Sequence, residues 1–213
     1  MASSDVRHPL FARLFTLLSR NEPRELREHR QRLLTGLSGR VVEVGAGAGA
    51  NFSHYPGTVS EVIAVEPEPY MRSKAEEEAA ATAAVSANVV DGTADRLPLA
   101  DGSCDAAVVC LVLCSVPDQR IALAEVRRVL KPGGQLRFYE HVLSHTERLA
   151  RTQRFVDRTF WPRAFGGCHT ARDTPTAIAA AGFDIDQEER LWVAPVRLAA
   201  PVATHVLGTA TRR

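Results

Sequence analysis

The segment VVEVGAGAGANF at positions 41–52 joins three glycines, Gly45, Gly47 and Gly49, to one carboxylate, Glu43. Val41, Val42, Glu43 and Val44 have the pattern of a buried strand. A glycine turn directly after a strand lets a ligand approach the main chain closely. GAGAGA also satisfies the G-x-G-x-x-G/A pattern of dinucleotide sites. Those sites face an anionic pyrophosphate, where an upstream carboxylate has no evident use. Glu43 is sensible opposite a ligand with positive charge, and S-adenosylmethionine (SAM) carries an ammonium and a sulfonium group.

A second carboxylate, Glu66, ends the apolar run at 62–65. It lies about twenty residues past the glycine turn, where a carboxylate can accept two hydrogen bonds from ribose hydroxyls. The competing reading is a surface acid before a proline. His54, His141, His169 and His205 are possible acid–base groups, because imidazole titrates near neutrality. His141 follows the apolar run 136–141 and is the first choice for a general base, with His205 second. A polar residue that merely ends a strand is the alternative for His141. His54 either lines the cofactor loop or faces solvent. Cys110 and Cys114 stand four apart in an apolar stretch. They are a thiol pair able to capture a metalloid, or small buried packing residues. Phe160, Trp161, Phe165 and Trp192 can wall an apolar acceptor pocket or pack in the core.

A frame of strands and helices must position these groups. Strands are expected near 40–44, 62–65, 88–91, within 106–114, and at 136–141. Between them, helices are expected at 71–84 and 122–130, the latter stopped by KPGG. This alternation implies an α/β fold, with a parallel sheet covered on both faces. Residues 25–32 read as a solvated, charged helix, and residues 10–18 carry an apolar stripe at helical spacing. The stretch 144–170 is polar and aromatic. A helix at 174–181 and apolar segments at 183–193 and 202–210 complete the chain.

The chain has 213 residues and a formal net charge of +1, which argues against an electrostatic nucleic-acid partner. It has no run of about eighteen apolar residues and no signal-peptide layout, so no transmembrane segment is expected. The four cysteines have neither disulfide-framework nor zinc-site spacing. A reducing, cytoplasmic setting is expected. The alanine- and arginine-rich composition suggests a bacterial source and a place in secondary metabolism.

The order acid-x-Gly-x-Gly-x-Gly, from Glu43 to Gly49, resembles the first motif of Rossmann-like class I methyltransferases. That resemblance implies a mostly parallel seven-stranded sheet with an antiparallel C-terminal edge pair. It also implies one methyltransferase domain over 1–213, with 1–36 as a helical lid or cap, and SAM as cofactor. The residues it assigns to SAM are Glu43, Gly45, Ala46, Gly47, Asn51, Glu66, Pro67, Met71, Thr93, Ala94, Asp95, Cys110 and Leu111. The superfamily's Gly-Asp-Ala-Glu loop reads Gly92-Thr93-Ala94-Asp95 here. Thr93 brings no charge to the adenine amino group, so the Ala94 backbone is the expected contact, with Thr93 or Asp95 helping.

More specifically, GAGAGANFSHYP, ADGSCD, CLVLCSV, RRVLKPGG, EHV and the later Gly167-Cys168 segment resemble the alkyl-thiol S-methyltransferases of the vertebrate methyltransferase-like family. A partial counterpart of the family's late Pro-His segment stands at 203–206. This implies methyl transfer to a small-molecule thiol. The sulfonium already activates the methyl group, so no metal is expected, and alignment and exclusion of water are the protein's work. Those vertebrate enzymes carry an N-terminal membrane anchor, for which the stripe at 10–18 is too short. An amphipathic lid over the acceptor pocket is expected there instead, with core packing or a dimer contact as the alternatives. The same frame suits O-, N- or C-methylation, or SAM binding without catalysis. A nicotinamide oxidoreductase is disfavoured, since no substrate domain follows the glycine fold. The oligomeric state is not legible.

Overall fold

The computed structural model describes residues 12–13, 16, 22–193 and 197–213, with side chains omitted at 197–199. The expected lid at 10–18 thus lies outside the described residues, apart from Ala12, Arg13 and Thr16. Helix α1 (Arg24–Leu34) precedes strand β1 (Gly39–Val44). Then follow β2 (Val59–Val65), α2 (Pro69–Ala81), β3 (Ala87–Val90) and β4 (Cys104–Cys110). Helix α3 (Gln119–Val129) runs directly into β5 (Leu130–His141). Helices α4 (Glu147–Arg158), α5 (Trp161–Ala164) and α6 (Thr174–Ala180) lead to β6 (Phe183–Trp192) and β7 (Thr204–Arg212).

The seven strands form one sheet in the order β3-β2-β1-β4-β5-β7-β6. The first five are parallel, and β7 runs antiparallel between β5 and β6. Val42 and Val44 point to one face of β1 and Val41 to the other, as the two-residue strand period requires. Leu123 and Val126 of α3 and Ile178 of α6 cover the first face. Leu33 and Leu34 of α1 and Ala75 of α2 cover the second. Burial of both faces explains why β1, β2 and β4 read as near-continuous apolar runs.

Caps set the helix starts. Glu68 accepts from the Met71 N–H ahead of Pro69, and Asp118 accepts from the N–H groups of Arg120 and Ile121. KPGG does stop α3, but β5 begins at Leu130 rather than near 136, because Leu130 already pairs with Cys104 before the register shifts across Lys131–Gly134 to pair Gln135 with Ala106.

Two expectations need correction. Residues 144–170 hold two helices, α4 and α5. In α4 the buried stripe is Ala150, Gln153 and Val156. Its central member is polar: Gln153 donates to the Val142 and Pro201 carbonyls and accepts from the Ser144 N–H. That hid the helical period. Helix α1 is also not solvated throughout, since His29 and Arg30 are buried with Leu33 and Leu34. Arg30 is tolerated inside because it pairs with Glu22 and Asn51. No helix among the described residues is long and apolar enough to cross a membrane.

Candidate active site

The strand order changes direction on either side of β1 and β4, and ligands of open α/β sheets bind at the carboxyl ends of the strands at such a point. Gly45, Glu66, Gly92, Leu111 and His141 all lie at or just beyond those ends.

The three glycines of the turn have different work. A Cβ on Gly45 would lie 2.6 Å from Val112 Cγ2, and one on Gly49 would lie 2.7 Å from Phe52 Cε2. A Cβ on Gly47 would meet nothing within 4 Å. All three have positive φ, of 68°, 83° and 58° respectively. Packing therefore demands Gly45 and Gly49, whereas Gly47 opens onto free space. The Gly45 and Ala46 N–H groups both donate to the Val65 carbonyl, which ties the turn to β2.

Glu66 stands beside this opening. Its Oε2 accepts from the Gly47 N–H at 2.8 Å and its Oε1 from the Glu68 N–H at 2.9 Å. Burial pushes its pKa up to about 7, against those two backbone hydrogen bonds. Pro67 and the buried Met71 follow at the start of α2, where the Pro67 carbonyl accepts from Arg72. In the next loop Arg96 N–H closes onto the Thr93 carbonyl. Thr93 and Ala94 are half-buried and Asp95 is exposed.

Glu43 sits beneath the turn with only 2% exposure. Asn51 Nδ2 donates to its Oε1 and the Tyr55 hydroxyl to its Oε2, both at 2.8 Å. Asn51 Oδ1 in turn accepts from Arg30 Nη1, which also lies 3.0 Å from Cys110 Sγ. Burial raises the Glu43 pKa, opposed by Tyr55, Asn51 and Arg30. The sequence reading missed Arg30 and Tyr55. Nothing in a charged helix signals which arginine turns inward.

The role of Glu140, beside the loop that follows β4, was missed. Leu111 has a φ of 61°, a left-handed conformation rare for leucine. The following loop is gripped by Glu140, which is fully buried on the neighbouring strand β5. Its Oε1 accepts from the Val112 and Leu113 N–H groups at 2.8 and 2.9 Å, and its Oε2 from the Cys114 N–H at 3.2 Å. Burial raises the Glu140 pKa against these bonds. EHV was visible as a motif, but only the parallel β4–β5 pairing shows what its carboxylate holds.

His141 and His205 are opposite partners on β5 and β7. Their rings meet edge to face with centroids 5.8 Å apart. His205 stacks on Tyr139 and its Nδ1 lies 3.2 Å from the Ala203 carbonyl. Burial lowers its pKa to about 3, so the ring is neutral. His141 Nε2 lies 3.5 Å from Cys168 Sγ, while its Nδ1 is buried without a partner among the described residues. The thiols of the 110–114 stretch part company: Cys110 faces Arg30, and Cys114 meets His141 and Cys168. His54 is half-buried in a single 3-10 turn, and His169 pairs with Asp157 at 3.0 Å. Of the four aromatics, Trp161 is buried against Phe165, whereas Phe160, Phe165 and Trp192 are exposed.

This fold and strand-end site define a SAM-dependent methyltransferase. The model of the methyltransferase domain family matches residues 42–138. Human thiol S-methyltransferase TMT1B is 38% identical over 84% of this chain and 74% of its own length. TMT1A, also a thiol S-methyltransferase of Homo sapiens, is 34% identical over 82% of this chain and 74% of its own. The chain belongs to this TMT1 methyltransferase family. Among solved structures, the YcgJ protein of Bacillus subtilis superposes with a TM-score of 0.70 at 19% identity, covering 87% of this chain and 99% of that one. A SAM-dependent methyltransferase of Thermotoga maritima, described as a possible histamine N-methyltransferase, gives 0.66 at 23% identity, with 98% and 97% coverage. These two likenesses bear on the fold.

Proposed function

We propose that the chain transfers the methyl group of SAM to the sulfur of a small-molecule thiol. The observation that carries this reading is the 38% identity, over most of the chain, to a thiol S-methyltransferase. SAM supplies a methyl group already activated by its sulfonium, so the protein's residues bind, orient and exclude water. The strand ends fit that cofactor. Space for a ligand lies over Gly47, and the adjoining Glu66 carboxylate keeps lone pairs beyond the two used by backbone amides.

In this proposal Glu66 accepts from the ribose hydroxyls, flanked by Pro67 and Met71. The Gly45, Ala46 and Gly47 backbone lies under the cofactor, and Thr93, Ala94 and Asp95 border the adenine. Cys110 and Leu111 border the methionine end. Glu43 fixes the turn from below through Asn51, instead of meeting the cation face to face. His141 stands nearest the acceptor, and His205 serves to hold the β5–β7 edge. The near-zero net charge supports a small-molecule acceptor over a nucleic acid, and the four free cysteines support a reducing compartment. The composition supports a bacterial source.

Labelled SAM incubated with the protein and a panel of aliphatic thiols, phenols and amines tests this. Methyl thioethers identified by product mass spectrometry are expected. Turnover confined to phenols or amines would overturn the thiol acceptor, and cofactor binding with no turnover on any class would favour a non-catalytic role.

A further inference from the structure

Three side chains from separate segments converge beside the end of β5. Cys114 comes from the loop after β4, His141 from β5, and Cys168 from the turn after α5. One donor atom of each lies within 4.8 Å of the other two. Among the described residues, the contact within hydrogen-bonding range of the ring is His141 Nε2 to Cys168 Sγ, at 3.5 Å. Tetrahedral zinc, with Zn–S near 2.3 Å and Zn–N near 2.0–2.1 Å, has a nitrogen–sulfur edge of about 3.6 Å. We propose that Cys114, His141 and Cys168 hold a divalent thiophilic cation of the zinc type, whose fourth position takes the sulfur of the acceptor thiol.

The arrangement fits the ion chemically. Two thiolates and a neutral imidazole around a divalent cation sum to zero charge, which suits a place where Cys114 and Cys168 are 1% and 8% exposed. Three protein ligands with one exchangeable position is the composition of catalytic zinc sites, including the Cys₂His kind.

The donors are also held before any ion arrives. The Cys114 N–H is fixed by Glu140, and the Cys114 carbonyl accepts from the His169 N–H at 2.7 Å, which sets Cys168 against Cys114. The Arg172 guanidinium donates to the Leu113 and Val116 carbonyls on either side of that thiol. Spacing along the chain gives no hint of this, since the ligands stand 27 residues apart at each step, in positions 114, 141 and 168.

The second half of the proposal rests on the thiol reading above, while the first half stands alone. Binding of the ion releases the two cysteine protons to solvent. The acceptor thiol releases its own proton to solvent on ligation and becomes a thiolate at neutral pH. Its sulfur then forms the new S–CH₃ bond as the cofactor's S–CH₃ bond breaks, with both electrons of the broken bond staying on the cofactor sulfur. A neutral thioether and S-adenosylhomocysteine result, with no change of oxidation state. His141 is then a ligand, and the thiol proton needs no side-chain base.

The test uses the full chain, stripped with a chelator and titrated with Co²⁺ as the probe. About one equivalent should bind and show the ligand-field and sulfur-to-metal charge-transfer bands of a tetrahedral thiolate site. The double variant Cys114→Ser/Cys168→Ser should abolish the charge-transfer band and each single variant should weaken it, while His141→Ala should weaken Co²⁺ binding at least about tenfold. S-adenosylhomocysteine affinity in each variant reports whether it has folded. Adding 2-mercaptoethanol should shift the band of the wild-type complex. Substoichiometric Co²⁺, or a spectrum unchanged in the double cysteine variant, would overturn the metal site. So would ready formation of a Cys114–Cys168 disulfide in place of metal binding. If chelator-stripped protein methylates thiols at the full rate, the fourth-ligand role fails and the thiol reading stands. If Co²⁺ binds as described but thiols neither shift its band nor become methylated, the thiol reading and the fourth-ligand role fail together.

Discussion

If Glu66 holds the ribose as proposed, cofactor affinity should depend on pH in a range where ordinary carboxylates are silent. Its pKa is pushed up to about 7 by burial, from a usual 4.5. A ribose diol donating into this site requires an ionised acceptor. For a ligand that binds only the ionised form, apparent affinity scales with the ionised fraction. That fraction is about one-eleventh at pH 6 and about ten-elevenths at pH 8, so affinity should fall about tenfold between them, roughly 1.4 kcal/mol. A carboxylate at its usual value would change affinity by only about 3% over the same interval. The α-amino group of SAM itself titrates near about pH 8, so the cleaner probe is 5′-methylthioadenosine, which keeps the ribose and adenine and lacks that group. Calorimetric titration across this range should give the tenfold slope for the wild type. Glu66→Gln should bind more weakly at pH 8, by about 1.5–3 kcal/mol for a lost charged hydrogen bond, and show no slope. Stability provides an independent check of sign. A raised folded-state pKa means that Glu66's contribution is full below about pH 4.5 and is lost as pH rises through about 7. The full swing is about 3 kcal/mol. The wild type minus Glu66→Gln difference in unfolding free energy should follow that curve. A wild-type affinity flat between pH 6 and 8 would refute the reasoning, and an unchanged affinity in Glu66→Gln would place the ribose elsewhere.

Gly47→Ala adds a methyl group where nothing lies within 4 Å, at a φ of 58°. Circular dichroism should stay native, with stability lower by about 1–2 kcal/mol for the left-handed residue, while S-adenosylhomocysteine binding collapses in calorimetry. Retained affinity would remove Gly47 from the cofactor site. Glu140→Gln keeps one acceptor oxygen but sets an amide NH₂ against at least one of the backbone donors of Val112, Leu113 and Cys114. Denaturant unfolding should show a loss of about 1–3 kcal/mol, with turnover falling more than cofactor affinity. Wild-type stability would mean that the loop after β4 holds itself.

The glycine turn and the strand it follows were legible because their signals are local. A run of β-branched residues, three glycines and a carboxylate lie within a dozen positions, and each has meaning without knowledge of any partner. The same holds for KPGG after α3 and for the alternation that implied a parallel sheet. Helix α4 was not legible, because one of its three inward residues is Gln153, whose partners lie at Val142, Ser144 and Pro201. Arg30 was not legible for a similar reason. Its burial is offset by Glu22 and by Asn51 across the turn, and no periodicity reports a long-range polar partner.

Thus the sequence by itself determined the class of fold, the glycine turn after the first strand, and, through that motif, the cofactor class. Those follow from short-range sterics and the periods of helix and strand, which are written in consecutive residues. Tertiary structure alone decided which polar groups meet. It set Glu43 under the turn with Tyr55 and Asn51, and Glu140 against the loop of the neighbouring strand. It also brought Cys168 beside Cys114 and His141. Hydrogen bonds and donor clusters depend on distances across strands and loops. Those distances exist only once the apolar faces of the sheet have been buried and its register fixed.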